Sequence, residues 1–240
     1  MKIAFQLSQA TYGARRCLRN ITLATASVTL TALLSVAALG AAPGAAQAEP
    51  TIVALGDSLT AGYGLPEGEG LVPQLNAWLA AQGSTATVLN AGVSGDTSAG
   101  GLSRLDWSLT PETDALIVTL GGNDLLRGLP PTETRKNLDS IVKSATDRDL
   151  KVLIVPMEAP GNFGPDYKAD FDALYSDIAT TYGAAITQPF FRLLDAEATD
   201  PGQIRQWMQA DGIHPNKDGV ARVVASLGPT LLDLANSTTD

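Results

Sequence analysis

The stretch Ala115-Leu116-Ile117-Val118-Thr119-Leu120-Gly121-Gly122-Asn123-Asp124 decides the fold. Its first six residues are apolar almost without interruption. A strand with one wet face alternates, whereas a near-continuous β-prone run is buried on both faces, as in a parallel sheet covered by helices. Four more β-rich runs lie around it, at 51–55, 85–89, 152–155 and 184–187. Between them stand segments with helical spacing: 71–82 through Leu71, Leu75, Trp78 and Leu79; 98–109 through Leu102, Leu105 and Leu109; 132–146; and the stripe Tyr167, Phe171, Leu174, Tyr175 and Ile178. A last helix follows Asn216, carries Val220, Val223, Val224 and Leu227, and is expected to break at Gly228-Pro229. Trp78, Trp107 and Trp207 are read as packing residues. Strand and helix alternation of this kind predicts an α/β fold with an open parallel sheet between two helical layers. In such sheets, sites form beyond the carboxyl ends of the strands.

The first 48 residues contain no Asp or Glu. A basic start (Lys2, Arg15, Arg16, Arg19), an apolar stretch over 21–39 and the small residues before Ala46-Gln47-Ala48 make the three parts of a secretory signal peptide, with cleavage expected before Glu49. The expected organisation is a cleaved signal over 1–48 and a single domain over 49–240, periplasmic or secreted, with no membrane anchor remaining. Losing four cations takes the formal net charge from −9 to −13. A surface so acidic repels phosphate backbones and argues against nucleic-acid binding. The only cysteine, Cys17, falls in the removed segment, so no disulfide is expected. No cofactor and no metal site are expected, because there is no Cys/His cluster, and the chain is read as a monomer.

Each of three strands and the last helix has a polar run beside it. Gly56-Asp57-Ser58-Leu59 follows the first strand, Asn90-Ala91-Gly92-Val93-Ser94-Gly95-Asp96 the second and Gly121-Gly122-Asn123-Asp124 the third, while Asp211-Gly212-Ile213-His214 precedes the terminal helix. Taken singly, each reads as a turn or a helix cap. Together, at one rim of one sheet, they assemble the parts of a hydrolytic site. His214 is the only histidine in the chain, and imidazole is the side chain whose ordinary pKa lies in the neutral range.

These four runs, carrying Ser58, Gly95, Asn123 and His214, resemble the SGNH (GDSL-type) hydrolases, over about residues 51–234. The fuller runs Ala54-Leu55-Gly56-Asp57-Ser58-Leu59-Thr60-Ala61-Gly62-Tyr63 and Trp207-Met208-Gln209-Ala210-Asp211-Gly212-Ile213-His214-Pro215-Asn216 are similar to those of the bacterial periplasmic multifunctional esterases with thioesterase, arylesterase and lysophospholipase activity. The resemblance implies a three-layer α/β/α sandwich around a five-stranded, flavodoxin-like parallel sheet. A serine hydroxyl needs an adjacent base to attack at neutral pH, so Ser58 is the expected nucleophile and His214 its base. Asp211, three residues before His214, is within reach of the imidazole Nδ1–H and is expected to orient the ring. The tetrahedral intermediate needs donors, for which the candidates are the backbone N–H of Ser58 and Gly95 and the side chain of Asn123. A side chain at Gly95 is expected to crowd the substrate. The resemblance gives Asp57 a supporting role through hydrogen bonds to nearby backbone.

The loop after Asn123 is apolar, with Leu125, Leu126, Leu129, Pro130 and Pro131, and a second loop over 157–167 carries Phe163. Pocket walls are usually apolar, so these loops are expected to flank an acyl groove. Asp57, Leu126, Leu129, Phe163 and Ile213 are the candidate substrate-binding residues. Small acyl esters or thioesters are the expected partners. A carbohydrate O-deacetylase is the alternative within enzymes, and a non-catalytic exported binding protein the alternative outside them. The apolar loop favours an acyl or aryl ester over a sugar ester, and an intact set of Ser58, Gly95, Asn123, Asp211 and His214 argues against a binding protein.

Overall fold

The computed structural model describes residues 49–197 and 202–239, so the expected signal peptide lies outside the described residues. Five parallel strands, β1 (Thr51–Gly56), β2 (Thr87–Gly92), β3 (Ala115–Thr119), β4 (Lys151–Ile154) and β5 (Ala185–Ile186), form one sheet in the order β2-β1-β3-β4-β5. All five residues of β3 are buried, as are Ile52 to Gly56 of β1, because these two strands lie inside the sheet with helices over both faces. The helices α2 (Leu71–Ala81), α8 (Phe190–Leu194) and α9 (Lys217–Asn236) pack together, while α3 (Ser98–Ser103), α6 (Pro131–Thr146) and α7 (Pro165–Tyr182) form the other layer. The result is the expected three-layer, flavodoxin-like α/β fold.

The chain leaves β1 for β2 on one side, while β3 pairs on the other. That reversal opens a crevice at the carboxyl ends of β1 and β3, where doubly wound folds bind ligands. Short helices sit there: α1 (Ser58–Ala61) after β1 and α5 (Gly122–Leu126) after β3. The end of β2 lets α1 come close, since a Cβ on Gly92 would lie 2.3 Å from the Ala61 nitrogen. β2 is an edge strand, and the Asn76 side chain of α2 accepts from Val88 N–H at 2.7 Å and donates to Val88 C=O at 3.0 Å, which covers part of that edge.

The structure corrects four expectations. The terminal helix does not break at Gly228-Pro229 but continues to Asn236. Pro229 and Ala225, the residue whose carbonyl loses its partner, are both exposed, and the ring of Trp78 packs on Gly228 from α2. The helix expected over 98–109 is interrupted at Arg104, leaving α3 and α4 (Leu105–Ser108). The Arg104 guanidinium is drawn to Asp96, at 2.6 Å, and to the Gly56 carbonyl, at 2.9 Å. The second strand starts two residues later than expected and includes Asn90-Ala91-Gly92. Trp107 is 90% exposed and packs nothing, whereas Trp78 and Trp207 do pack against the core.

Candidate active site

Asp57 caps α1, its Oδ1 accepting from Leu59 N–H at 3.0 Å, which starts the helix at Ser58 and lifts that hydroxyl to the rim. Across the rim, the loop before α9 carries Asp211 and His214. Asp211 Oδ1 accepts from the backbone N–H groups of Ile213, at 2.9 Å, and His214, at 3.1 Å, while Oδ2 lies 2.7 Å from His214 Nδ1. An ionised carboxylate only accepts, so Nδ1 carries the proton and Nε2 is free to accept. Ser58 Oγ lies 2.8 Å from that Nε2. The bond to His214 and the two backbone donors hold the Asp211 carboxyl down to about 2, below its ordinary 3.8. The Tyr63 ring packs on the imidazole, with centroids 4.7 Å apart.

Gly95 and Asn123 complete the rim. Gly95 has a φ of +86°, a region that disfavours any side chain, and among the described residues no atom beyond Gly95 and its two chain neighbours stands within 4 Å of where its Cβ would be. What the protein itself requires of Gly95 is therefore its backbone conformation. Neither Ser58 N–H nor Gly95 N–H is engaged by another group among the described residues. Two ties hold these loops: Arg127 Nη2 donates to Gly95 C=O at 2.8 Å, and buried Asp124 accepts from Ser98 N–H, from the Ser98 hydroxyl and from the Thr134 hydroxyl.

A cavity of about 300 Å³ opens beside Ser58 and His214. Its walls include Leu59, Leu125, Leu126, Met157, Phe191 and Ile213, so it is largely apolar. Of the candidate substrate-binding residues, Asp57, Leu126 and Ile213 line it. Leu129 and Phe163 do not. The Leu129 carbonyl accepts from the Tyr167 hydroxyl at 2.8 Å, and the Phe163 ring packs on Tyr167 beside Gly128. The second wall is made instead by Met157 and Glu158, at the start of that loop, and by Phe191. Phe191 lies on α8, a helix too short to show a period in the sequence. Glu158 is ion-paired with Arg192 and Lys168, which lowers its carboxyl pKa. Among the described residues, no three His, Cys, Asp or Glu side chains converge on a point where a metal would sit.

Residues 54–222 match the GDSL-like Lipase/Acylhydrolase family. The chain is 40% identical over 188 residues to the esterase TesA of Pseudomonas aeruginosa, covering 78% of this chain and 90% of that protein. It is 35% identical over 193 residues to thioesterase 1/protease 1/lysophospholipase L1 of Escherichia coli, covering 80% and 88%. Among solved structures it is similar to the psychrotrophic esterase EstA of a Pseudoalteromonas species inhibited by monoethylphosphonate, with a TM-score of 0.70 and 32% identity over 78% of this chain and all of that one. A family match over most of the domain, relatives of this identity and the sheet order agree: the chain belongs to the GDSL-like lipase/acylhydrolase family and is one of its hydrolytic enzymes.

Proposed function

We propose that this chain is a serine esterase that hydrolyses acyl and aryl esters, acyl thioesters and lysophospholipids through an acyl-enzyme on Ser58. The reading is carried by one line of contacts, Asp211 to His214 Nδ1 at 2.7 Å and His214 Nε2 to Ser58 Oγ at 2.8 Å. Ser58 Oγ attacks the acyl carbon as its proton passes to His214 Nε2. The backbone N–H of Ser58, that of Gly95 and the Asn123 amide hold the oxyanion. His214 then returns the proton to the departing alcohol or thiol. Water then attacks the acyl carbon as His214 Nε2 takes its proton, and His214 gives that proton to Ser58 Oγ as the bond to the acyl carbon breaks and the acid leaves. Asp211 keeps the imidazole in the right tautomer and stabilises the imidazolium. The apolar cavity walls favour an acyl chain over a sugar, which speaks against the O-deacetylase reading.

Purified Ser58→Ala should lose hydrolysis of p-nitrophenyl butyrate, an octanoyl thioester and a lysophospholipid alike, while its circular dichroism matches the parent. Full turnover by that variant would sink the proposal. The pattern of residues 1–48 supports export with removal of that segment, and no helix among the described residues is long and apolar enough to cross a membrane. The exported protein should begin at Glu49 by mass; an intact amino terminus there would count against cleavage.

A further inference from the structure

Asp57 is 2% exposed and no lysine or arginine among the described residues pairs with it. A buried carboxylate without a cation costs folding energy unless its hydrogen bonds do something in return. Its two oxygens are divided. Oδ1 takes Leu59 N–H at 3.0 Å, which is the helix cap, and Oδ2 takes the Asn123 side-chain Nδ2–H at 3.2 Å. The second bond crosses from the end of β1 to the end of β3 and has no part in capping. Gly122 lies over the same oxygen, where a Cβ would come within 3.3 Å.

We propose that Asp57 is a positioning residue of the oxyanion site: its carboxylate selects the NH₂ end of the Asn123 amide and leaves the second N–H of that group for the developing oxyanion. The inference rests on the reading of Asn123 as an oxyanion donor. Its logic is the donor inventory. A side-chain amide has a donating and an accepting end of nearly the same shape, so packing alone does not choose between them. An ionised carboxylate accepts only, and therefore chooses. A neutral partner at position 57 presents a donor as well and lets the amide turn, which puts its carbonyl oxygen where the oxyanion forms. The titratable groups that face Asp57 are His214, from the loop before α9, and Tyr175, from α7. Asp124, beside Asn123 on α5, is spent on Ser98 and Thr134, and Arg104 reaches no nearer than the Gly56 carbonyl. Burial pushes the Asp57 carboxyl up to about 6, opposed by the bonds from Leu59 and Asn123 and by His214. The charge state that fixes the amide is thus lost just below neutral pH.

Asp57→Asn separates the two bonds, because asparagine caps a helix as well as aspartate does but offers an NH₂ group to Asn123. Its kcat for a p-nitrophenyl ester should fall by about 10²–10³-fold, the usual effect of losing one oxyanion donor, with KM within about threefold of the parent. In an Asn123→Ala background the same substitution should change kcat by less than about threefold, since the amide it misdirects is gone. An unchanged kcat in Asp57→Asn, or an equal loss in both backgrounds, overturns the inference. Should Asp57→Asn not fold, the native enzyme still decides. On the acid side kcat should fall with the protonation of two groups in the parent and of one in Asn123→Ala, and limbs of equal steepness overturn it. Asn123→Ala with full kcat would instead sink the oxyanion reading on which the inference rests.

Discussion

Asn123 shows how much of this site hangs on single atoms. One N–H of its amide is held by Asp57 and the residue lines the cavity beside Ser58. An interaction made chiefly in the transition state lowers kcat when removed and leaves KM nearly unchanged. Asn123→Ala should therefore lower kcat by about 10²–10³-fold, or roughly 2.7–4 kcal/mol of transition-state stabilisation. Steady-state kinetics with a soluble ester checks this, and a change confined to KM argues against the oxyanion role. At this scale the chain is unusually legible. It has one histidine, and Asp211 stands three residues before it, a spacing that a tight turn converts into a bond to Nδ1. The bond from Asp57 to Asn123 was not legible, because it joins residues 66 apart whose meeting depends on β1 pairing with β3.

Elements differ in how openly they declare themselves. The long helices α2, α6 and α7 are visible because two or more turns repeat an apolar face. The helices α1, α5 and α8 have four or five residues and no period to read, yet they carry Ser58, Asn123 and Phe191. Their positions come from strand ends and from close approaches. Gly92 is the clearest case, since α1 rests on it with no room for a methyl group. Gly92→Ala should push α1 and Ser58 off the end of β2. The expected cost is about 1–3 kcal/mol of stability, as for other overpacked sites, together with at least a tenfold loss of kcat, because small displacements of a nucleophile are expensive. Denaturant unfolding and ester hydrolysis measure the two effects, and a variant with native kcat would show that α1 is not held there. Phe163 and Leu129 belong to the same lesson: apolar residues in rim loops were expected to face the substrate, but the Tyr167 side chain gathers both.

Across the whole molecule, the site leaves a mark on stability. The Asp57 carboxyl is raised from 3.8 to about 6 in the folded chain. Between those values the folded state binds the extra proton, so stability falls as pH rises through the window, by about 3 kcal/mol for a shift of this size. Asp211 acts in the opposite sense: lowered to about 2, it adds stability above pH 4 that is lost as pH falls toward 2, and its partial exposure keeps that contribution modest. Asp57→Asn should therefore gain stability relative to the parent by about 2.4 kcal/mol between pH 4 and pH 7, read from urea unfolding at the two values. A difference that does not change with pH would show that Asp57 is not the buried charge described. By itself, the sequence determined the parallel sheet and its alternation with the long helices, and it singled out Ser58, Asp211 and His214 as the candidates for the proposed nucleophile, orienting acid and base, because periodicity and short-range spacing are local properties of a chain. Only the tertiary structure decided which loop residues form the cavity, where Arg104 breaks a helix, why Pro229 does not, and that Asp57 faces Asn123. Those outcomes depend on which distant segments are brought into contact, and the number of near-equal local choices leaves that to packing.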